Sequence, residues 1–200
     1  PSIIFMRHAK TPLNDGRFLG RKVDPDISLD TDTQVSIPES YKIFSSPLRR
    51  CISTLKHSHV NENNITLDNR LLEIDYGLVD GFTYDELSNE FPEVPKMWES
   101  KVDAHFPGGE NHGEVLERLN GFIRDRIIDS NSNAYIMTHN VVLRVLLGYY
   151  YNLPQHLWYL IHIPHTLPLE FRLNKGRLYP NIEREELGMI FGELNCQSWD

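Results

Sequence analysis

The sequence predicts an α/β protein with a mostly parallel central sheet. Two observations predict it. Short apolar runs alternate with stretches of helical period, which favours parallel strands joined by crossovers. Near the end, "PLEFRLNKGRLYP" (168–180) reads as one hairpin with its turn near Asn174–Gly176, so a late antiparallel pair is expected as well. The chain has 200 residues and a hydrophobic fraction of 40%, which suits a single domain over residues 1–200 with a real core and a small cap.

Taken in order, "SIIFMR" (2–7) reads as a buried strand. Residues 11–40 are rich in Gly, Pro, Asp and Ser and read mostly as loop. "YKIFSS" (41–46) is the next strand. "PLRRCISTLKHSHV" (47–60) reads as a helix with Pro47 at its first position, where the missing N–H is harmless. "ITL" (65–67) is a short strand. "TYDELSNEF" (83–91) opens with Thr83 three residues before Glu86, a capping box, and Asn111 before Glu114 repeats the pattern. Val115, Leu119, Phe122, Ile123 and Ile127 keep helical spacing to about residue 129. "NAYIMTH" (133–139) is a strand and "VVLRVLLGYYY" the helix after it. The tail from Ile182 has no evident pattern, and the chain shows no internal repeat or low-complexity segment.

Charge and composition narrow the function. A net charge of −8 argues against a nucleic-acid partner, which needs a basic surface. Two cysteines, Cys51 and Cys196, make no disulfide framework and no zinc ribbon. The opening apolar run is shorter than the roughly 7–15 residues of a signal peptide, and no run approaches the roughly 20 of a membrane span. The expectation is a soluble, cytoplasmic protein. No histidine, cysteine or carboxylate cluster has metal spacing, so neither a metal nor another cofactor is expected.

Three strand ends carry polar groups: Arg7–His8, Ser45–Ser46 leading to Arg49–Arg50, and Thr138–His139. In open α/β sheets ligands sit beyond the carboxyl ends of strands, so these ends are expected to meet in one crevice. Arginine presents a planar fork that matches phosphate and stays charged. Arg7, Arg50 and the two histidines, with Asn14 as a neutral donor, would hold a dianion despite the overall charge. Neutral imidazole is also a nucleophile, so one histidine could attack phosphorus while cations stabilise the oxygens around it. The leaving oxygen needs a proton, and "LLEIDYGLVDG" (71–81) offers Glu73, Asp75 and Asp80 as its acid.

Together these stretches resemble the histidine phosphatase superfamily, the phosphoglycerate-mutase-like group, branch 1. "RHAKTPLNDGRFLG" is similar to its R-H-G-x-T-x-x-N and following G-R-x-x-G. "SSPLRRCIST", "LLEIDYGLVDG", "FPGGEN" and "THNVVLRVLLG" resemble its later motifs in family order, from residue 3 to about 175. The resemblance implies a three-layer α/β/α sandwich. It implies His8 as the nucleophile and Arg7, Arg50 and His139 as ligands of the phosphoryl group, with Asn14 assisting. Alignment within "LRR" selects Arg50 over Arg49. Glu73 would serve as the acid and then the base. Another branch uses an aspartate after the second histidine. Asn140 stands there and cannot donate as a carboxylic acid would, which favours Glu73.

The implied activity is a metal-independent phosphomonoesterase acting on a small phosphorylated metabolite. Three alternatives stand beside it. A phosphoglycerate mutase would usually carry a longer insertion than the cap at about 82–106. A non-catalytic phospho-ligand module sits poorly with the intact motif residues. A phosphoprotein phosphatase would need an open pocket.

Some positions depart from the pattern. Ala9 and Asn140 replace glycines, and asparagine is well suited if a left-handed backbone is required there. Lys10 replaces a glutamate and adds a cation that would favour a more anionic substrate, so Lys10 and Asn140 join the candidate substrate contacts. Between Leu29 and Tyr41 the family's long helix is missing. That could leave a sheet face open for a partner or a second copy, so a homodimer is one expectation. His57 and His59 make a poor metal pair on a helix. His162 and His165 flank Pro164 and read as structural, while His105 stands just before "FPGGEN" within possible reach of substrate. Tyr84, Trp98 and Phe106 read as core or cap residues.

Overall fold

The computed structural model describes residues 1–29, 33–192 and 194. Its strands are β1 (Ser2–Arg7), β2 (Lys42–Ser45), β3 (Ile65–Leu67), β4 (Ala134–Thr138), β5 (Leu169–Asn174) and β6 (Arg177–Pro180). Its helices are α1 (Arg49–His57), α2 (Tyr84–Glu90), α3 (Glu93–Glu99), α4 (His112–Phe122), α5 (Asn140–Tyr150) and α6 (Arg184–Phe191). The sheet order is β3-β2-β4-β1-β5-β6. The first four positions in that order are parallel, β5 runs antiparallel to β1, and β6 closes the expected hairpin.

The sheet separates two cores. Ile3, Phe5, Phe44 and Ile136 face α4 and α5, which bring Val115, Leu119, Phe122, Val142 and Leu146. Met6, Tyr135 and Met137 face the other way, onto Cys51 and Leu55 of α1. The alternation along β1 follows from strand geometry, in which neighbouring side chains point to opposite faces. β4 is buried at every position because both of its faces are covered.

Both expected capping boxes form. Thr83 and Glu86 exchange side-chain and backbone bonds at α2, and Asn111 and Glu114 do so at α4. Helix α1 starts later than its sequence suggests. Leu48 is extended, with φ −67° and ψ 140°, so Pro47 lies outside the helix and Arg49 opens it. The run expected to stay helical to about 129 leaves α-geometry after Phe122 and continues as a π-helical stretch, Ile123–Ile128. The tail that had no pattern forms α6, capped by Glu183 and Glu186.

Where the family's long helix was missed, residues 34–41 run without regular structure. Val35 and Ile37 are half-buried against the Met6–Met137 cluster. That strap covers the apolar part of the face. Farther along, Glu170 stands opposite Ile4 and pairs with Arg172 at 3.1 Å, so the face becomes polar there. Asp30, Thr31, Asp32 and Cys196 lie outside the described residues. Cys51 is a free, buried thiol.

Candidate active site

The sheet order explains how distant motifs meet. β4 lies between β1 and β2, and Arg7 is in register with Thr138 while Ser45 is in register with Met137. The three strands therefore end at one level. His8, Ser46 and His139 are the first residues beyond those ends. His8 donates its backbone N–H to Thr138 O at 3.1 Å, and Ser46 donates to Met137 O at 3.0 Å.

His8 is buried. Its Nδ1 lies 2.7 Å from Ala9 O. A carbonyl oxygen only accepts, so the proton belongs to Nδ1, and in the neutral ring Nε2 keeps its lone pair. Burial and then the Arg50 and Arg7 charges hold this imidazole well below the ordinary histidine range. His139 stands edge-on to it, with ring centroids 5.2 Å apart, and is held neutral chiefly by burial and by Arg50. His139 Nε2 lies 2.7 Å from Ser46 Oγ and 3.4 Å from Cys51 Sγ. Burial pushes the Cys51 thiol up, so it stays protonated.

Arg50 is 1% exposed. It donates to Gly20 O at 2.6 Å and to Asp24 Oδ1 at 3.1 Å. Arg7 donates to Ile163 O at 2.7 Å, and burial pushes its guanidinium down to about 10. The Nε–H of each arginine is buried without an acceptor. A buried donor left unpaired costs about 1–3 kcal/mol, more when charged, so both point to an acceptor that arrives from outside.

Glu73 is 4% exposed and lies against the start of α5. Its carboxylate accepts from Ile74 N at 2.9 Å and from Val141 N at 3.3 Å. The two rival acids are occupied elsewhere. Asp75 caps a turn by accepting from Gly77 N at 2.9 Å. Asp80 accepts from the backbone of Gly20, Arg21 and Lys22 at 3.1, 2.8 and 3.0 Å. It thereby fixes the loop that holds Arg50.

Behind Glu73 lies a charged brace. Glu110 takes Arg118 Nε at 2.9 Å and Nη2 at 3.1 Å, Arg21 at 3.2 Å and Asp75 N at 2.9 Å. Arg21 also donates to Glu73 O at 2.8 Å. Gly109 of "FPGGEN" and Gly77 of "LLEIDYGLVDG" make this possible. A Cβ on Gly109 would collide with Asp75 O, and one on Gly77, at φ +57°, with Pro107 O.

Asn14 is exposed, and its Oδ1 accepts from Thr11 N and Oγ1 at 2.7 and 3.0 Å, a turn-stabilising arrangement. Lys10 is exposed at the mouth of a neighbouring cavity. Asn140 is half-buried at the first turn of α5, with Oδ1 buried and unpaired. Neither Ala9 nor Asn140 has positive φ, so neither glycine replacement meets a left-handed backbone. His59 lies beyond α1 at φ +64°, not on a helix beside His57. His105 is exposed and pairs with Glu114 at 3.0 Å.

Four contributors fall outside the candidate site residues of the sequence, although Ser46 stands at a strand end there and His165 reads as structural. Ser46 holds His139. Thr54 accepts from Ala9 N at 3.0 Å and donates to Arg50 O at 2.7 Å, tying two motifs together. Arg144 is a lone cation in an apolar helix, which was a visible signal. It donates to Ile161 O at 2.7 Å, and burial pushes its guanidinium down against the opposing pull of Tyr76 and Glu73. His165 donates from Nδ1 to His8 O at 2.8 Å, with its ring 5.5 Å from that of His8. Among the described residues no group of three or more His, Cys, Asp and Glu is placed to share a metal ion.

The model of the histidine phosphatase superfamily (branch 1) matches residues 3–179. The chain belongs to that family. Membership makes it a phosphoric monoester hydrolase by class. Phosphoserine phosphatase 1 of Hydrogenobacter thermophilus is 28% identical over 155 residues, which span 72% of this chain and 73% of that protein. Fructose-2,6-bisphosphatase of Saccharomyces cerevisiae is 35% identical over 121 residues, 58% of this chain but 26% of that protein. In fold, the chain resembles a putative alpha-ribazole-5'-P phosphatase from Escherichia coli. The TM-score is 0.75 at 16% identity, over 90% of this chain and 94% of that one. Among the described residues no helix is long and apolar enough to cross a membrane.

Proposed function

We propose that this histidine phosphatase hydrolyses a small phosphorylated metabolite without a metal, through a phosphohistidine on His8. The observation that carries the reading is the pairing of a bare His8 Nε2 with two buried arginine Nε–H groups that have no acceptor. The phosphoryl oxygens would take those donors, with His139 beside them. His8 Nε2 attacks phosphorus, and the bond to the leaving oxygen breaks as Glu73, in its acid form, supplies that oxygen's proton. The free alcohol departs. Water then attacks phosphorus, its proton passes to the Glu73 carboxylate, and the N–P bond breaks. Inorganic phosphate leaves, with His8 neutral and Glu73 protonated again.

The reading carries a single domain in the three-layer α/β/α arrangement, with the cap at 82–106 selecting the leaving group. The names of the relatives favour a small anionic metabolite, and exposed Lys10 fits that class. Asn14 would assist as a donor: its carbonyl is held by Thr11 in the turn, which leaves the amide N–H2 for a phosphoryl oxygen.

The test is phosphate release in EDTA from sugar phosphates, phosphoglycerates, phosphoamino acids and nitrophenyl phosphate, with His8→Ala alongside. The expected outcome is turnover of one class and a loss on the order of 10⁴- to 10⁶-fold in the variant. Variant activity near wild type would sink the mechanism. Isomerised phosphoglycerate without release would make the protein a mutase.

A further inference from the structure

The chain at 163–166 grips the Arg7–His8 pair. Ile163 O accepts from Arg7, Thr166 N donates to Arg7 O at 3.0 Å, and His165 Nδ1 donates to His8 O at 2.8 Å. Thr166 sits at φ +57°, an expensive conformation for a β-branched residue, and strain of this kind collects at functional sites. A cavity of about 460 Å³ opens against this segment, bounded by Ala9, Lys10, His162, His165 and Thr166. That volume lies within the range of small-ligand sites.

The carbonyl of His8 fixes the tautomer of His165. Because Nδ1 must carry the proton, Nε2 of the neutral ring is a bare acceptor. It makes no hydrogen bond to any described residue, while the ring lines the cavity beside the nucleophile. Burial and the Arg7 charge push this imidazole down to about 4, with Lys10 and His162 acting in the same direction, so the acceptor persists through neutral pH. An anion would find no donor on this ring. A hydroxyl would find an acceptor.

We propose that His165 Nε2 is a specificity-determining acceptor for a hydroxyl group on the leaving group, so that the substrate is the phosphomonoester of a polyhydroxylated alcohol. This rests on the phosphatase reading above. The test compares kcat/KM for glycerol 3-phosphate and propyl phosphate, which share a three-carbon leaving group but differ in hydroxyls. The ratio within each protein cancels any general loss from a displaced His8. The wild-type ratio should be about three- to tenfold, the range of one net hydrogen bond. It should fall to near one in His165→Ala and also in His165→Asn. Asparagine keeps a donor for His8 O but lacks the far acceptor.

A wild-type ratio near one would overturn the proposal. So would a ratio unchanged in both variants, or one lost in alanine and restored by asparagine, which would leave His165 only the role of holding His8. Absence of any His8-dependent nitrophenyl phosphate hydrolysis is the separate failure of the phosphatase reading. In that event ¹⁵N spectra of the His8→Ala protein decide. Glycerol 3-phosphate should move the His165 Nε2 resonance and propyl phosphate should not, and equal or absent shifts overturn the acceptor role.

Discussion

In the brace, Glu110 meets Arg118 through two hydrogen bonds of 2.9 and 3.1 Å and Arg21 through another of 3.2 Å. In the crevice, Arg7 and Arg50 are buried with their Nε–H groups unanswered, and the neighbouring rings are kept neutral. Both regions are built from arginine and carboxylate. In the brace the charges satisfy one another and fasten the loops at Arg21 and Asp75 to α4. In the crevice they are left in deficit, with Asp24 the acidic partner of Arg50. A buried N–H without an acceptor is costly, so these two donors are the ones an arriving anion would satisfy. The pairing state therefore separates binding groups from structural ones better than residue type does.

Four substitutions test that contrast. Glu73→Gln should cost the largest factor, about 10²–10⁴ in kcat for alkyl phosphates, where the leaving oxygen needs a proton. Nitrophenyl phosphate, with its good leaving group, should lose far less. Equal losses on both would return the acid role to Asp75 or Asp80, against their observed turn contacts.

Arg7→Gln should lose about 10²–10³ in kcat/KM, the scale of one charge-stabilising donor. Its pH profile is more telling. After burial and Arg50, Arg7 is a cause of the low His8 pKa, and a nearby cation disfavours imidazolium. Removing it raises that pKa, so the acid limb of kcat/KM should move to higher pH, towards the ordinary histidine value. A limb that stays put, or moves down, would mean that His8 is not the group titrating.

Glu110→Ala should act on stability instead. It strands Arg118, Arg21 and the Asp75 amide, for a cost of about 2 kcal/mol and a Tm lowered by roughly 4–8 °C. If calorimetry showed no loss, the brace would not be the structural half of the comparison. Asp24→Asn should have the smallest effect. It retains an acceptor for the α1 backbone yet removes the negative charge beside Arg50. Inorganic phosphate should inhibit about two- to fivefold more tightly, a change of about 0.5–1 kcal/mol. Weaker inhibition would show that Asp24 is needed to aim Arg50.

The local signals were legible. Thr83–Glu86 and Asn111–Glu114 announced their helix starts because a capping box closes within four residues. Arg7, His8, Arg50 and His139 stood out because each stands at or after a strand end within a compact motif, and β1, β2 and β4 bring those ends to one level of the sheet; Glu73 was one of three acids that only the resemblance told apart. Other features resisted the sequence. The π-helical stretch after Phe122 keeps the same apolar residues as an α-helix, so periodicity did not distinguish them. Helix α6 is short, and its cap uses glutamate where a smaller residue is expected. Val35 and Ile37 gave no helical period because they cover the sheet from an irregular strap.

The sequence alone determined the fold class, the hairpin, the two capping boxes and the family, because each is written in residues close together along the chain. Only the tertiary structure showed what the three candidate acids touch: Asp75 and Asp80 cap backbone turns, while Glu73 lies buried against the start of α5. It alone turned His165 from a loop residue into a neighbour of His8, across 157 positions of chain. Such contacts arise from the order in which strands pair, and that order depends on packing between residues far apart in the chain.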